Sequence, residues 1–220
     1  MVSRTSPWSF LRQRARDRTR APTWPGLGRV RLFVAINLPE AVKDMVHEAT
    51  GPLRESAPWV AWTPAAKLHL TVKFIGDRED TAVPALAEEI ASAVSPHAPI
   101  ELSMGGIGAF PNLRRAHVVW MGIEPHPRLE LLHHDVEQAC ERQGIEVEGR
   151  PFRPHLTLGR IARRPDPDAL RELARARRHV TLRTEIRVDS VDLMRSELRP
   201  DGARHTLVAA APLRAHGMDA

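Results

Sequence analysis

Four side chains in this sequence are spaced for acid/base work on an anion: His69 with Thr71, and His155 with Thr157, in two copies of His-Leu-Thr. Each copy sits in an apolar stretch, L-H-L-T-V-K-F-I-G or P-H-L-T-L-G-R-I, that reads as a β-strand. Successive side chains of a strand point to opposite faces, so each histidine shares a face with its threonine while Leu70 and Leu156 turn away. Two such strands facing each other would set two proton-transfer groups and two hydroxyl donors around a small anion. Phosphodiester chemistry without a metal needs that set. A single H-x-T is common in strands and a lone histidine is usually a packed residue; the duplication is what carries the signal.

The elements around the two copies recur in the same order. An amphipathic helix is expected over about 40 to 55 (Val42, Met45, Val46, Ala49, Leu53) before the first copy, and another over about 127 to 143 (Leu129, Leu132, Val136, Ala139, Cys140) before the second. Helices over about 81 to 95 and 167 to 178 come after them. Strands are expected near 30 to 37, 68 to 75, 99 to 107, 116 to 123, 153 to 160, 180 to 194 and 204 to 212, with turns at Gly105-Gly106, Ala109-Phe110-Pro111-Asn112 and Pro200-Asp201-Gly202. Strand, helix, H-x-T strand, helix, strand, given twice, is a diverged internal duplication. The expected fold is therefore α+β: two lobes related by a pseudo-two-fold, each a mainly antiparallel sheet with helices outside, and a cleft between them where the H-x-T strands meet.

Composition narrows the class. With 220 residues, 42% hydrophobic and 27% charged, the chain has enough apolar material for one globular body. No apolar run approaches the ~18 residues that would suggest a membrane span. One cysteine, Cys140, rules out an intramolecular disulfide or a thiolate zinc site and fits a reducing, cytoplasmic setting. The net charge of +5 is matched by residues 1–28 alone, which hold six arginines against Asp17, leaving the body formally neutral. That segment is expected to be a basic, solvated extension, followed by a single bilobal domain over 29–213 and a tail over 214–220. The other histidines, His97, His126, His133 and His134, lack the neighbours of a site. No H-x-x-x-H pair with an acidic partner appears, so neither a catalytic metal nor a cofactor is expected.

These blocks resemble the two-histidine phosphoesterases, and among them the RNA 2′,3′-cyclic phosphodiesterases, also called 2′-5′ RNA ligases. The resemblance spans most of residues 30 to 212: R-L-F-V-A-I-N-L-P at 31–39, Trp62 leading into L-H-L-T-V-K-F-I-G-D at 68–77, F-P-N-L-R-R-A-H-V-V-W at 110–120, F-R-P-H-L-T-L-G-R-I at 152–161 and S-E-L-R-P-D-G at 196–202. One departure stands out. The family commonly has a tyrosine shortly after the P-x-G turn, where this tyrosine-free chain has His205.

The resemblance implies an enzyme that opens RNA 2′,3′-cyclic phosphate ends to 2′-phosphomonoesters, with His69 as proton donor to the departing 3′-oxygen and His155 as acceptor from water. The residues alone leave those two roles exchangeable. Thr71 and Thr157 would direct donors at the non-bridging oxygens. Arg160 would hold phosphate, although strict alternation turns it away from His155, so contact requires a bulge for which Gly159 is a candidate. Lys73 shares the parity of His69, and Phe74 that of Leu70. Phe33 is a candidate stacking surface for a base, against a core role for both phenylalanines. The expected partner is an RNA or oligonucleotide end, acted on by a monomer away from membranes. Alternatives are 2′-5′ ligation, another small cyclic diester as substrate, or a module that binds such ends without turnover.

Overall fold

A computed structural model describes residues 28–163, 165–200 and 202–214. Apart from Gly28 and Arg214, the expected basic extension and the C-terminal tail lie outside the described residues. The strands are β1 (Arg29–Asn37), β2 (Ala61–Trp62), β3 (His69–Glu79), β4 (Ile100–Phe110), β5 (Val118–Ile123), β6 (His155–Arg160), β7 (Arg183–Val188), β8 (Ser190–Arg199) and β9 (Gly202–Pro212). The helices are α1 (Glu40–Ala49), α2 (Gly51–Ser56), α3 (Val83–Val94), α4 (Pro127–Arg142) and α5 (Pro167–Ala176).

The strands form one antiparallel sheet in the order β7-β4-β5-β6-β3-β1-β8-β9, with β2 added against β6. Its two halves, β3-β1-β8-β9 and β6-β5-β4-β7, are the two lobes. They join at a single residue pair, Leu70 opposite Leu156. Both leucines are fully buried, and each such burial is worth about 2 kcal/mol, so the junction between the lobes is held by core packing.

The alternation of β1 shows which face is which. Leu32, Val34 and Ile36 enter the main core, whereas Phe33 and Ala35 pack with Met194 in a small separate cluster on the other face. The main core also takes Val46 of α1, Leu53 of α2, Leu86 and Ile90 of α3, Leu129, Leu132 and Val136 of α4, and Leu170 and Leu173 of α5. The helices thus cover one face of the sheet and leave the other for the site.

Two sequence expectations need correction. The helix expected over 40 to 55 is two, α1 and α2, with Thr50 between them bonding its hydroxyl to the Val46 carbonyl at 2.7 Å. Pro52 has no N–H to continue the ladder and its ring conflicts with the preceding turn. The strand expected over 180 to 194 is also two: β7 pairs with β4 in one lobe and β8 with β1 in the other. The buried apolar residues are Ile186 and Val188 before Asp189 and Val191 and Leu193 after it, so the alternation changes phase where the chain changes partner. At the β8–β9 hairpin, Gly202 has φ 110°, a backbone state that disfavours any side chain.

Candidate active site

Because β3 and β6 run antiparallel about the Leu70–Leu156 pair, Thr157 stands across from His69 and Thr71 across from His155. The four side chains share the helix-free face. The two histidines lie on a diagonal, for which separations of about 7–8 Å are usual, with the Cβ atoms somewhat closer, a span that suits one phosphate between two rings.

Each imidazole is oriented in the same way. Nδ1 of His69 bonds the Lys67 carbonyl at 2.8 Å, and Nδ1 of His155 bonds the Arg153 carbonyl at 2.6 Å. A carbonyl can only accept, so Nδ1 carries the proton in both rings. Nε2 is left as the nitrogen that exchanges protons. Aromatic neighbours wedge each ring: Phe33 and His205 lie 5.1 and 5.4 Å from His69, and Phe110 and Trp120 lie 4.9 and 6.4 Å from His155. Gly108 makes room for Trp120, since a Cβ there would fall 2.2 Å from the indole ring.

A bulge comes after each motif. Between β1 and β3 the register slips as Ala35 opposite Thr71 gives way to Val34 opposite Lys73; between β5 and β6 it slips as Trp120 opposite Thr157 gives way to Val119 opposite Gly159. Val72 and Leu158 are the extra residues, and both remain buried. Each bulge inverts the parity of the residues beyond it. Arg160 therefore returns to the face of His155, and Phe74 occupies the equivalent position in the other lobe, 67% exposed on the cleft side. Lys73 turns the other way, into the interior, where its ammonium bonds Glu137 at 2.6 Å and the Glu146 carbonyl at 2.7 Å. Both parity expectations for Lys73 and Phe74 are thus reversed. Gly159 serves close packing: a Cβ there would lie 2.6 Å from Val60 and 3.0 Å from Trp62.

Phe33 is 4% exposed, with its ring against His69 and His205, so it forms the floor beneath His69 and presents no free face to a base. His205, reached only because β9 returns beside β8, is the ring that the sequence could not place. Phe110 and Trp120 stood in the sequence only as the two ends of the F-P-N-L-R-R-A-H-V-V-W block, with nothing to give either a role.

Electrostatics separate the two histidines. Burial holds His69 down to about 4; its bond to the Lys67 carbonyl opposes this, while the charges of His205, Lys43 and Arg160 add to it. His155 is lowered as well, by burial first and also by Arg160, against its bond to the Arg153 carbonyl. One guanidinium therefore acts on both rings. In the free protein His69 is neutral at pH 7, and this has a consequence for stability. Above pH 6.5 folded and unfolded chains both hold His69 neutral and it contributes nothing. Between about 6.5 and 4 the unfolded chain takes up a proton that the fold resists, so stability falls with pH, by at most about 3 kcal/mol. Denaturant unfolding at pH 7 and pH 4 should show that loss for the wild type, and His69→Gln should show less of it. Equal losses in both proteins would mean that His69 is not the group responsible.

A family model for the 2′-5′ RNA ligase superfamily matches residues 34–200. An RNA 2′,3′-cyclic phosphodiesterase of Methanothermobacter thermautotrophicus is 32% identical over 178 residues, spanning 81% of this chain and 96% of its own. One of Thermus thermophilus is 33% identical over 201 residues, spanning 86% and 94%. Among solved structures, a protein of Thermus thermophilus superposes with a TM-score of 0.69 at 27% identity over 84% of this chain and 99% of that one. Escherichia coli LigT crystallised with 3′-AMP shares the fold, with a TM-score of 0.66 at 24% identity over 86% of this chain and all of the other.

Proposed function

The chain belongs to the 2′-5′ RNA ligase superfamily, and from that premise we propose that it hydrolyses RNA 2′,3′-cyclic phosphate ends to 2′-phosphomonoesters by paired-histidine acid/base catalysis. The pairing of Leu70 with Leu156 supports this most directly, since it sets two imidazoles and two hydroxyls around one space.

In this reading His155 Nε2 takes a proton from water as the water attacks phosphorus in line, and His69 Nε2 gives its proton to the departing 3′-oxygen. His69 is neutral in the free site, and an imidazole held near 4 becomes a strong acid once protonated. The anionic diester supplies the opposing field that favours its charged form. Thr71 and Thr157 direct hydroxyls at the non-bridging oxygens, each contributing about 3 kcal/mol by analogy with an oxyanion-hole donor. Arg160 neutralises charge on the phosphoryl group as it moves toward a dianionic product. Both H-x-T strands come from one chain, so a monomer suffices. We place the enzyme in the cytoplasm, where RNA ends are its partners and where Cys140 can remain a thiol; burial pushes that thiol up to about 11, which makes it inert. No helix among the described residues is long and apolar enough to cross a membrane.

An oligonucleotide ending in a 2′,3′-cyclic phosphate, incubated with the protein in excess chelator, should yield a 2′-phosphate end. A 3′-phosphate product, or dependence on added metal, would overturn the mechanism.

A further inference from the structure

Beside His69 the structure gathers a second set of polar groups that the hydrolytic step leaves unused. Lys67 comes from the single 3₁₀ turn Ala65–Lys67 that leads into β3, and His205 comes from β9, its ring 5.4 Å from that of His69. The tip of the β8–β9 hairpin brings the two together: a Cβ on Gly202 would stand 3.9 Å from Lys67 Nζ. Arg160 approaches from the other lobe, because the antiparallel pairing puts Thr157 across from His69 and Arg160 beyond it. The charges of His205 and Arg160 both act on His69.

Neither Lys67 nor His205 is engaged by a counter-ion. Among the described residues Lys67 has no carboxylate at ion-pair distance, and His205 makes no hydrogen bond. Nδ1 of His205 is sealed from solvent without a partner, so a hydrogen there would be a buried donor with nothing to accept it. Burial first, and then the Lys67 charge, lower the proton affinity of the ring. It therefore stays neutral with its hydrogen on Nε2, the nitrogen left to meet a ligand. His205 is also this chain's departure from the tyrosine common in the family, so the arrangement is built from a residue that relatives do not usually have.

The chemistry of the departing group says what arrives there. The 3′-oxygen that leaves toward His69 belongs to a ribose, and in an RNA that ribose carries a further phosphate on its 5′-oxygen. A base would find no free ring on this side, since Phe33 is 4% exposed. A free ammonium beside an N–H donor suits an anion. We propose that Lys67 and His205 form an upstream subsite for the internucleotide phosphate on the 5′ side of the reacting nucleotide, which makes the enzyme selective for the end of an RNA over a free cyclic nucleotide. Bound there, that phosphate brings negative charge toward His69 and favours its protonated, acidic form. Upstream binding thus raises kcat as well as lowering KM.

The inference rests on the proposed function through the role given to His69, and the test separates the two. It compares two dinucleotides with the same bases and the same 2′,3′-cyclic end, one joined by a phosphodiester and the other by an uncharged methylphosphonate. The ratio of their kcat/KM values, taken within each variant, cancels any general loss of rate. Wild type should prefer the charged linkage by about ten- to a hundredfold, the range for hydrogen bonds to a charged group. Lys67→Met should remove most of that preference and flatten its salt dependence. His205→Phe should reduce it, and His205→Gln, whose amide can donate in place of Nε2, should restore part. A wild-type ratio near one overturns the subsite. So does a ratio that survives both Lys67→Met and His205→Phe, which would put the upstream strand at the other end of the cleft. The same two dinucleotides ending in a 2′-phosphate, titrated by calorimetry, read the subsite without turnover. A Lys67-dependent preference for the charged linkage in a protein that opens no cyclic phosphate would overturn the hydrolytic reading and leave the subsite standing.

Discussion

Alanine at His69 or at His155 is expected to lower kcat for opening a 2′,3′-cyclic phosphate by roughly 10²- to 10⁴-fold, the range for losing one positioned proton-transfer group. The double variant should lose little beyond the worse single one, because an acid without its base leaves one step of the same displacement undone. Binding of the 2′-phosphate product should stay within a few-fold, since Thr71, Thr157 and Arg160 remain in place. The two lesions should nevertheless differ in kind. His69 is the more strongly depressed ring, with His205 and Phe33 against it, so its loss also removes the acid-induced destabilisation described above. Initial rates and product affinity for the three variants decide the matter. Half of the wild-type rate surviving in either single variant would sink the paired mechanism.

The range of each interaction decides whether the sequence discloses it or hides it. The shared face of His69 and Thr71, and of His155 and Thr157, needs only two residues of extended backbone, so alternation was enough to read it. The doubled order of elements was likewise legible, and the antiparallel halves agree with it. The bulges at Val72 and Leu158 were not, because a bulge is a mismatch with a partner strand and alternation describes one strand at a time. Alternation therefore puts Lys73 and Phe74 on the wrong faces. It brings Arg160 near phosphate only if such a bulge is invoked. A local signal did exist: Phe74 and Arg160 both stand five residues after their histidines, and a scaffold doubled as faithfully as this one should treat them alike. His205 was marked only as a departure from the family's usual tyrosine, with nothing in the sequence to bring it to His69. Its approach to His69 depends on β8 joining β1 and β9 folding back along β8.

Methionine at Lys73 is expected to cost about 3–5 kcal/mol of stability, the usual effect of removing one partner from a buried ion pair. Lys73 and Glu137 are 5% and 4% exposed. The ammonium bridges β3 to α4 and, through the Glu146 carbonyl, to the segment leading into β6; the same carboxylate oxygen accepts from the Glu148 N–H at 3.2 Å. Without Lys73 the Glu137 charge stays buried with only that N–H and His133 nearby, the latter at 3.5 Å from its other oxygen. Removing both charges should hurt less than removing one. Lys73→Met with Glu137→Leu should recover part of the loss, though not all of it, because the Glu146 carbonyl and the Glu148 N–H would then lack partners. A domain of this size has about 5–15 kcal/mol to lose, so the single variant should remain folded but marginal, with a clearly lower urea midpoint. It should also lose activity out of proportion to its unfolded fraction, since the segment it releases runs through Arg153, whose carbonyl holds His155. A double variant no more stable than Lys73→Met would show that lost packing, and not a stranded charge, is the source of the damage.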